Sequence, residues 1–174
     1  MPGLQFQPAL QAIGQIRGAF AGHVFTPCLR VVRLISRVAH PGAVVAVLGL
    51  AYKPETPVVE ESQGVMIARR LVDAGFEVIV TDPWAMDAAA TVLGDTVVAI
   101  TPAEAAIAAA DVVVVATPAR AFADIAPAAF AEGGRRRIVL DCWRLLPDAV
   151  ADAAAVLHLG RSLPVSNIGL QERT

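Results

Sequence analysis

The chain is short of cysteine, short of aromatics and nearly balanced in charge, and each shortage removes a class of function. Two cysteines, Cys28 and Cys142, occur in 174 residues. They form neither a metal-ligand spacing nor a disulfide framework, which predicts a reducing, cytoplasmic setting. A formal charge of −2 gives no electrostatic case for nucleic acid or an anionic membrane as partner. No apolar run reaches the roughly 18 residues of a membrane span, and the N-terminus lacks the basic start and long apolar core of a signal peptide. His23, His40 and His158 have no motif around them, so neither a Ser/His/Asp triad nor a metal site is expected. Glycine is not scarce, yet no G-x-G-x-x-G follows a strand, which argues against NAD binding by this chain alone.

What is present is apolar bulk, 56% of residues, enough for the core of one domain. Its organising stretch is 44–62, VVAVLGLAYKPETPVVEES. The run Val44–Leu48 reads as a strand buried on both faces. Gly49 turns it into a polar loop, and Ser62 is a good N-cap for a helix over 63–74, with Gly75 at its C′ position. Strands are predicted at 76–80, 97–100, 112–116, 137–140 and 156–159. Helical patterns lie between them, including one at Met86, one over 121–131, and one whose start looks like a capping box of Thr101 and Glu104. The alternation predicts an α/β fold, a doubly wound Rossmann-like parallel sheet of five to six strands spanning 43–174. Residues 1–42 read as a helical extension: a weak helix over 8–20, then one starting at Thr26–Pro27 with an apolar face of Leu29, Val32, Ile35 and Val38. Beside that face runs a stripe of Arg30, Arg33 and Arg37, either an anion or partner surface or a solvated helix face.

The loop GLAYKPET followed by Ser62 resembles the signature of the UDP-glucose/GDP-mannose dehydrogenase family, G-L-A-F-K-P-x-T-D-D-x-R-x-S, which opens that family's C-terminal, nucleotide-sugar-binding domain. Gly49, Leu50, Ala51, Tyr52, Lys53, Pro54, Thr56 and Ser62 match without a gap. Pro57 and Val58 stand in place of the Asp pair, and Glu60 in place of Arg. Looser matches follow: Asp82–Pro83 after the second strand, Thr117 with Phe122 after the central strand, Asp141–Arg144 after the fifth, and Gly160–Arg161.

Beyond the C-terminal strand ends the loops gather Tyr52, Lys53, Asp82, Thr117, Trp143 and Arg144, where an open parallel sheet holds its ligands. Lys53 could meet a phosphate or sugar oxygen, or be an exposed loop lysine; Tyr52 or Trp143 could stack on a base, or Trp143 could pack in the core or an interface. Asp82 could hold a ribose or cap the chain before Pro83. The resemblance implies a substrate site of Tyr52, Lys53, Thr117, Trp143 and Arg144, with a UDP-sugar favoured. It also implies NAD-dependent oxidation of a sugar C6 alcohol to a carboxylate in the complete family, in polysaccharide biosynthesis. The NAD domain and the catalytic Cys in a Gly-rich segment are not seen here, so the chain alone is expected to be inactive, with NAD held by a possible separate domain. Cys28 and Cys142 read as small buried hydrophobes. The helix from Pro27 is expected to form a homodimer through Leu29, Val32 and Ile35. The alternative is a stand-alone binding or assembly module that has lost the nucleotide-sugar site, favoured by Val58 and Glu60.

Overall fold

The computed structural model describes residues 25–160; the helix expected over 8–20 and Arg161 lie outside them. The elements are α1 (Phe25–Val38), β1 (Val44–Leu48), α2 (Gln63–Asp73), β2 (Glu77–Thr81), α3 (Met86–Leu93), β3 (Val98–Ala99), α4 (Ala103–Ala109), β4 (Val112–Val115), α5 (Arg120–Ala123), β5 (Ile138–Asp141), α6 (Val150–Ala153) and β6 (Ala155–His158). Short 3-10 segments follow α3 and α5. All six strands are parallel in the order β3-β2-β1-β4-β5-β6. The chain therefore winds outward from β1 through β2 and β3, returns to lay β4 on the other side of β1, and winds outward again. The β1–β4 boundary is the switch point of strand order.

The central strands β1 and β4 are apolar throughout because both of their faces are covered. Val45 and Val47 of β1, Val112 and Val114 of β4 and Leu140 of β5 point to one side, onto α1, α2 and α3. Ala46, Leu48, Val113, Val115 and Val139 point to the other, onto α4, Phe122, Phe130 and α6. Each fully buried Val or Leu removes enough apolar surface from water to favour folding by about 1.5–3 kcal/mol. A strand facing water on one side would need alternating polar residues, and the VVVV of β4 has none.

α1 is built into this domain. Its Cys28, Val31 and Ile35 are buried and join the core beside Val65, Ala68 and Leu71 of α2. Ile35, expected with Leu29 and Val32 to meet a second copy, is thus covered by the chain's own helix; Leu29 stays exposed and Val32 half-buried. The capping box that Thr101 and Glu104 suggest does not form. α4 starts at Ala103 behind an N-cap at Pro102, so Glu104 sits one position too early and the capping residue has no side-chain acceptor. The helical turns expected over 121–131 are two short pieces, α5 and a 3-10 segment at Pro127–Gly134. Ser62 does cap α2, its hydroxyl accepting from Val65 N. No helix among the described residues is long and apolar enough to cross a membrane.

One buried charge was not anticipated. Arg137, just before β5, is 2% exposed. Its guanidinium donates to the carbonyls of Ile107, Ala108 and Ala110 at the C-terminal end of α4, and to those of Phe130 and Glu132. It closes the helix terminus and ties the 3-10 segment to it, a use of arginine's fixed fork at the negative end of a helix dipole.

Candidate functional site

At the C-terminal end of β1, Gly49 has φ +102, and a Cβ there would stand 2.5 Å from both Cβ and Oγ1 of Thr117. Conformation and space together require glycine. Its N–H donates to Thr81 O at 2.8 Å, continuing the sheet for one more residue. From there the chain enters the 49–62 loop. Tyr52 N donates to Val58 O at 2.7 Å and Thr56 Oγ1 to Lys53 O at 3.1 Å, so the loop is a compact hairpin-like turn rather than an open strap.

Asp82 organises the edge. Its carboxylate is 4% exposed and accepts four backbone N–H bonds: Oδ2 from Leu50 at 2.7 Å and Ala51 at 3.1 Å, Oδ1 from Trp84 at 2.7 Å and Ala85 at 2.8 Å. The cap-like reading of Asp82 is the one the geometry matches, and it reaches further than the chain next to Pro83: the same side chain fastens the loop after β1. With both oxygens occupied by amides, Asp82 has no face left for a ribose.

Thr117, at the end of β4, is also buried. Its hydroxyl donates to Ala51 O at 3.3 Å, the carbonyl immediately before Tyr52, and Ser62 Oγ reaches the same oxygen at 3.5 Å. Thr117 therefore braces the loop that carries Tyr52 and Lys53 and does not itself face solvent. Trp143 lies across the neighbouring strand end: its indole N–H donates to Ala116 O at 2.9 Å while half the side chain remains open. Asp141 holds this second turn as Asp82 holds the first, accepting from Trp143 N at 3.0 Å and Leu146 N at 2.9 Å. Arg144 follows in a left-handed conformation, φ 55, and is exposed.

The sequence-derived set is thus brought to one edge in two layers. Thr117 is the buried strut; Tyr52, Lys53, Trp143 and Arg144 form the exposed layer. Trp84 belongs with them and was missed. It follows β2 on the same edge and is 61% exposed, against 56% for Tyr52 and 55% for Trp143. Both tryptophans and the single tyrosine of the chain are therefore exposed on this edge. The signal was available, since Trp84 directly follows the Asp82–Pro83 pair. Such a surface presents flat π faces beside an ammonium and a guanidinium, a combination that suits a planar ring carrying negative charge.

Neither cysteine is an activated nucleophile. Burial pushes the Cys28 thiol up, and its Sγ lies 2.8 Å from Gln63 Oε1. Burial, with the Asp141 carboxylate adding to it, pushes Cys142 up to about 12. Thiols held protonated at neutral pH are poor nucleophiles and poor ligands. Among the described residues no group of three His, Cys, Asp or Glu side chains could hold a metal ion.

Comparison with known proteins points in one direction. The sequence profile described as UDP-glucose/GDP-mannose dehydrogenase family, UDP binding domain, matches residues 46–148. Among solved structures, a UDP-glucose dehydrogenase from the archaeon Pyrobaculum islandicum is 35% identical, with a TM-score of 0.59 over 66% of this chain and 25% of that one. An NDP-N-acetyl-D-galactosaminuronic acid dehydrogenase from Methanosarcina mazei shares the fold at 16% identity, with a TM-score of 0.62 over 88% of this chain and 36% of that one. GDP-mannose dehydrogenase from Pseudomonas aeruginosa does so at 19%, with a TM-score of 0.58 over 75% and 31%. No curated protein matches. The chain spans between a quarter and about a third of the length of these structures. With the profile covering more than half of its residues and the β1 loop carrying the matching motif, the chain belongs to the UDP-glucose/GDP-mannose dehydrogenase family, in the part that forms the UDP-binding domain.

Proposed function

We propose that the chain is the substrate half of a nucleotide-sugar dehydrogenase and that it binds a UDP-sugar at the C-terminal edge of its sheet. The observation that carries this reading is the brace from Thr117 to Ala51, which sets Tyr52 and Lys53 beside the strand end where Trp143 is anchored. An aromatic face takes the uracil, Lys53 takes a phosphate or sugar oxygen, and Arg144 adds a second cation. The reaction in this reading is NAD-dependent oxidation of the sugar C6 alcohol to a carboxylate, in the cytoplasm. The residues on this edge do not fit NAD. The loop after β1 keeps one glycine of the fingerprint, Tyr52 and Pro54 stand where backbone would approach a pyrophosphate, and Asp82 is saturated by amides. NAD and the nucleophile belong, in this reading, to residues outside the matched span.

Calorimetric titration of the chain with UDP, UDP-glucose, GDP-mannose and NAD tests it. UDP species should bind and NAD should give no heat, and Lys53→Ala should weaken UDP binding several-fold while leaving the fold intact. NAD binding without any response to UDP or GDP species would overturn the reading. A second reading, a binding or assembly module that has lost the nucleotide site, is favoured by one observation. Pro57, Val58 and Glu60 are all exposed at the positions of the family's Asp pair and Arg, so the loop's outer face offers an apolar residue and a negative charge to an anionic ligand. Silence with every nucleotide would select that reading.

A further inference from the structure

At the opposite end of the same strands lies a second, unrelated concavity. The N-terminal ends of β1, β4 and β5 line an open cavity of about 470 Å3, within the range of small-molecule sites. Its floor is apolar, from Val38, Ala43, Val112 and Ile138. Its rim is basic: Arg37 from the last turn of α1, His40 from the following loop, and Arg135 and Arg136 from the approach to β5.

The one carboxylate in the wall does not neutralise that rim. Asp111 is engaged on both oxygens, Oδ2 by Val44 N at 3.0 Å and Oδ1 by Arg135 Nη1 at 3.0 Å. Arg135 is further tied to Ala108 O at 3.0 Å, so this pair is a fixed part of the wall. Arg37 and Arg136 are exposed and have no hydrogen bond or ion pair among the described residues. Two uncommitted guanidinium forks over an apolar floor, in a chain of net charge −2, form a local field opposite in sign to that of the whole molecule. Guanidinium forks match the two oxygens of a phosphoryl group. Arg30 and Arg33, exposed on the same face of α1, extend the positive surface toward this rim.

We propose that this cavity is a second binding site, for a small organic phosphate whose phosphoryl group lies between Arg37 and Arg136 and whose apolar body rests on Val38 and Ile138. It is independent of the proposed nucleotide-sugar site, from which the length of the sheet separates it, and neither site's failure implies the other's.

Phenyl phosphate, inorganic phosphate and phenol are suitable probes, followed by calorimetry and by amide chemical shifts of the isotopically labelled chain. Phenyl phosphate should bind more tightly than either fragment, weaken with added salt, and shift the amides of residues 38–43 and 136–138. The double variant Arg37→Ala, Arg136→Ala should lose at least tenfold in affinity with an unchanged melting temperature, because both side chains are exposed and make no bond among the described residues. Val38→Ala with the arginines intact should weaken phenyl phosphate but not inorganic phosphate. Equal affinity of parent and double variant would overturn the proposal, as would no binding at all or shifts confined to residues 49–53 and 141–144.

Discussion

Gly64, in the first turn of α2, lies against the carbonyl of Gly49: a Cβ at position 64 would overlap Gly49 O and stand 2.9 Å from Gly49 C and 3.2 Å from Leu50 Cα. The obstacle is backbone, which has no rotamer to escape into. Gly64→Ala is therefore expected to force α2 off the end of β1. Overpacking of this kind costs roughly 1–3 kcal/mol and here should reach the upper end of that range. A fall in melting temperature of several degrees is the expected outcome, and a variant as stable as the parent would show that the contact is slack.

Asp82→Asn keeps the shape of the side chain and removes half of its acceptors. An amide has one oxygen, so two of the four N–H groups from Leu50, Ala51, Trp84 and Ala85 would face an NH2 group instead. Each unsatisfied buried donor costs about 1–3 kcal/mol. Urea unfolding should show a lower midpoint with an unchanged slope, and the shift should exceed that of Asp148→Asn on the exposed surface.

Arg137→Met would exchange a buried cation for an apolar chain of similar length and remove a donor from the carbonyls of Ile107, Ala108, Ala110, Phe130 and Glu132, of which Ile107 O keeps Ala110 N and Ala108 O keeps Arg135 Nη2. Hydrogen bonds from a charged group are worth about 1.5–3 kcal/mol each, and the carbonyls cannot all turn to water. A loss of more than about 3 kcal/mol is expected, with hydrogen exchange accelerated first at α4. Arg137→Lys should recover only part of it, since a compact ammonium cannot reach both ends of the fork.

The Cys142 thiol gives the chain an alkaline sensitivity. In the unfolded chain it ionises near its ordinary value of 9, whereas burial in the fold pushes it up to about 12. Between those values the unfolded state has released a proton that the folded state still holds, so stability falls as pH rises. Below pH 9 this contribution is complete. Cys142→Ala should flatten the decline in melting temperature between pH 9 and pH 11, and a thiol reagent at pH 8 should label Cys142 far more slowly than it labels the unfolded chain.

Glu60→Arg restores the family's charge at an exposed position two residues ahead of the Ser62 cap. The positive end of the α2 dipole favours the glutamate, so the variant should lose up to about 1 kcal/mol. UDP-sugar affinity should rise, since an attraction replaces a repulsion. Affinity no better than the parent's would move the proposed function toward the module that has lost its site.

The strands were legible in the sequence because their causes are local. A run such as Val112–Val115 between Asp111 and Thr117–Pro118 can be little other than a strand covered on both sides, and Gly49, Ser62 and Gly75 each mark a turn or cap by a property of that one residue. The exposed loop residues Tyr52 and Lys53 were legible through the motif. What the sequence did not disclose depends on partners far along the chain. Nothing local says that Arg137 is inside rather than out, that Asp82 reaches back to Leu50, or that the Ile35 face of α1 meets α2 rather than a second copy. The break within the helical turns at 121–131 was missed for a different reason. Alanine favours helix wherever it stands, so composition overrode the punctuation of Pro127.

The four amides held by Asp82 also limit what this scaffold can become. In a dinucleotide-binding fold the acidic residue after the second strand is free to be exchanged, and cofactor preference can be rewritten there by one or two substitutions. In this chain the same position is a fastening between the first and second loops. Restoring the missing glycines between Gly49 and Pro54 would not by itself recreate a ribose contact, because freeing the carboxylate would release both loops. A designer seeking NAD binding would have to build new caps for Leu50, Ala51, Trp84 and Ala85 before Asp82 could be reassigned, and the same epistasis would confront any evolutionary path from this loop to that one.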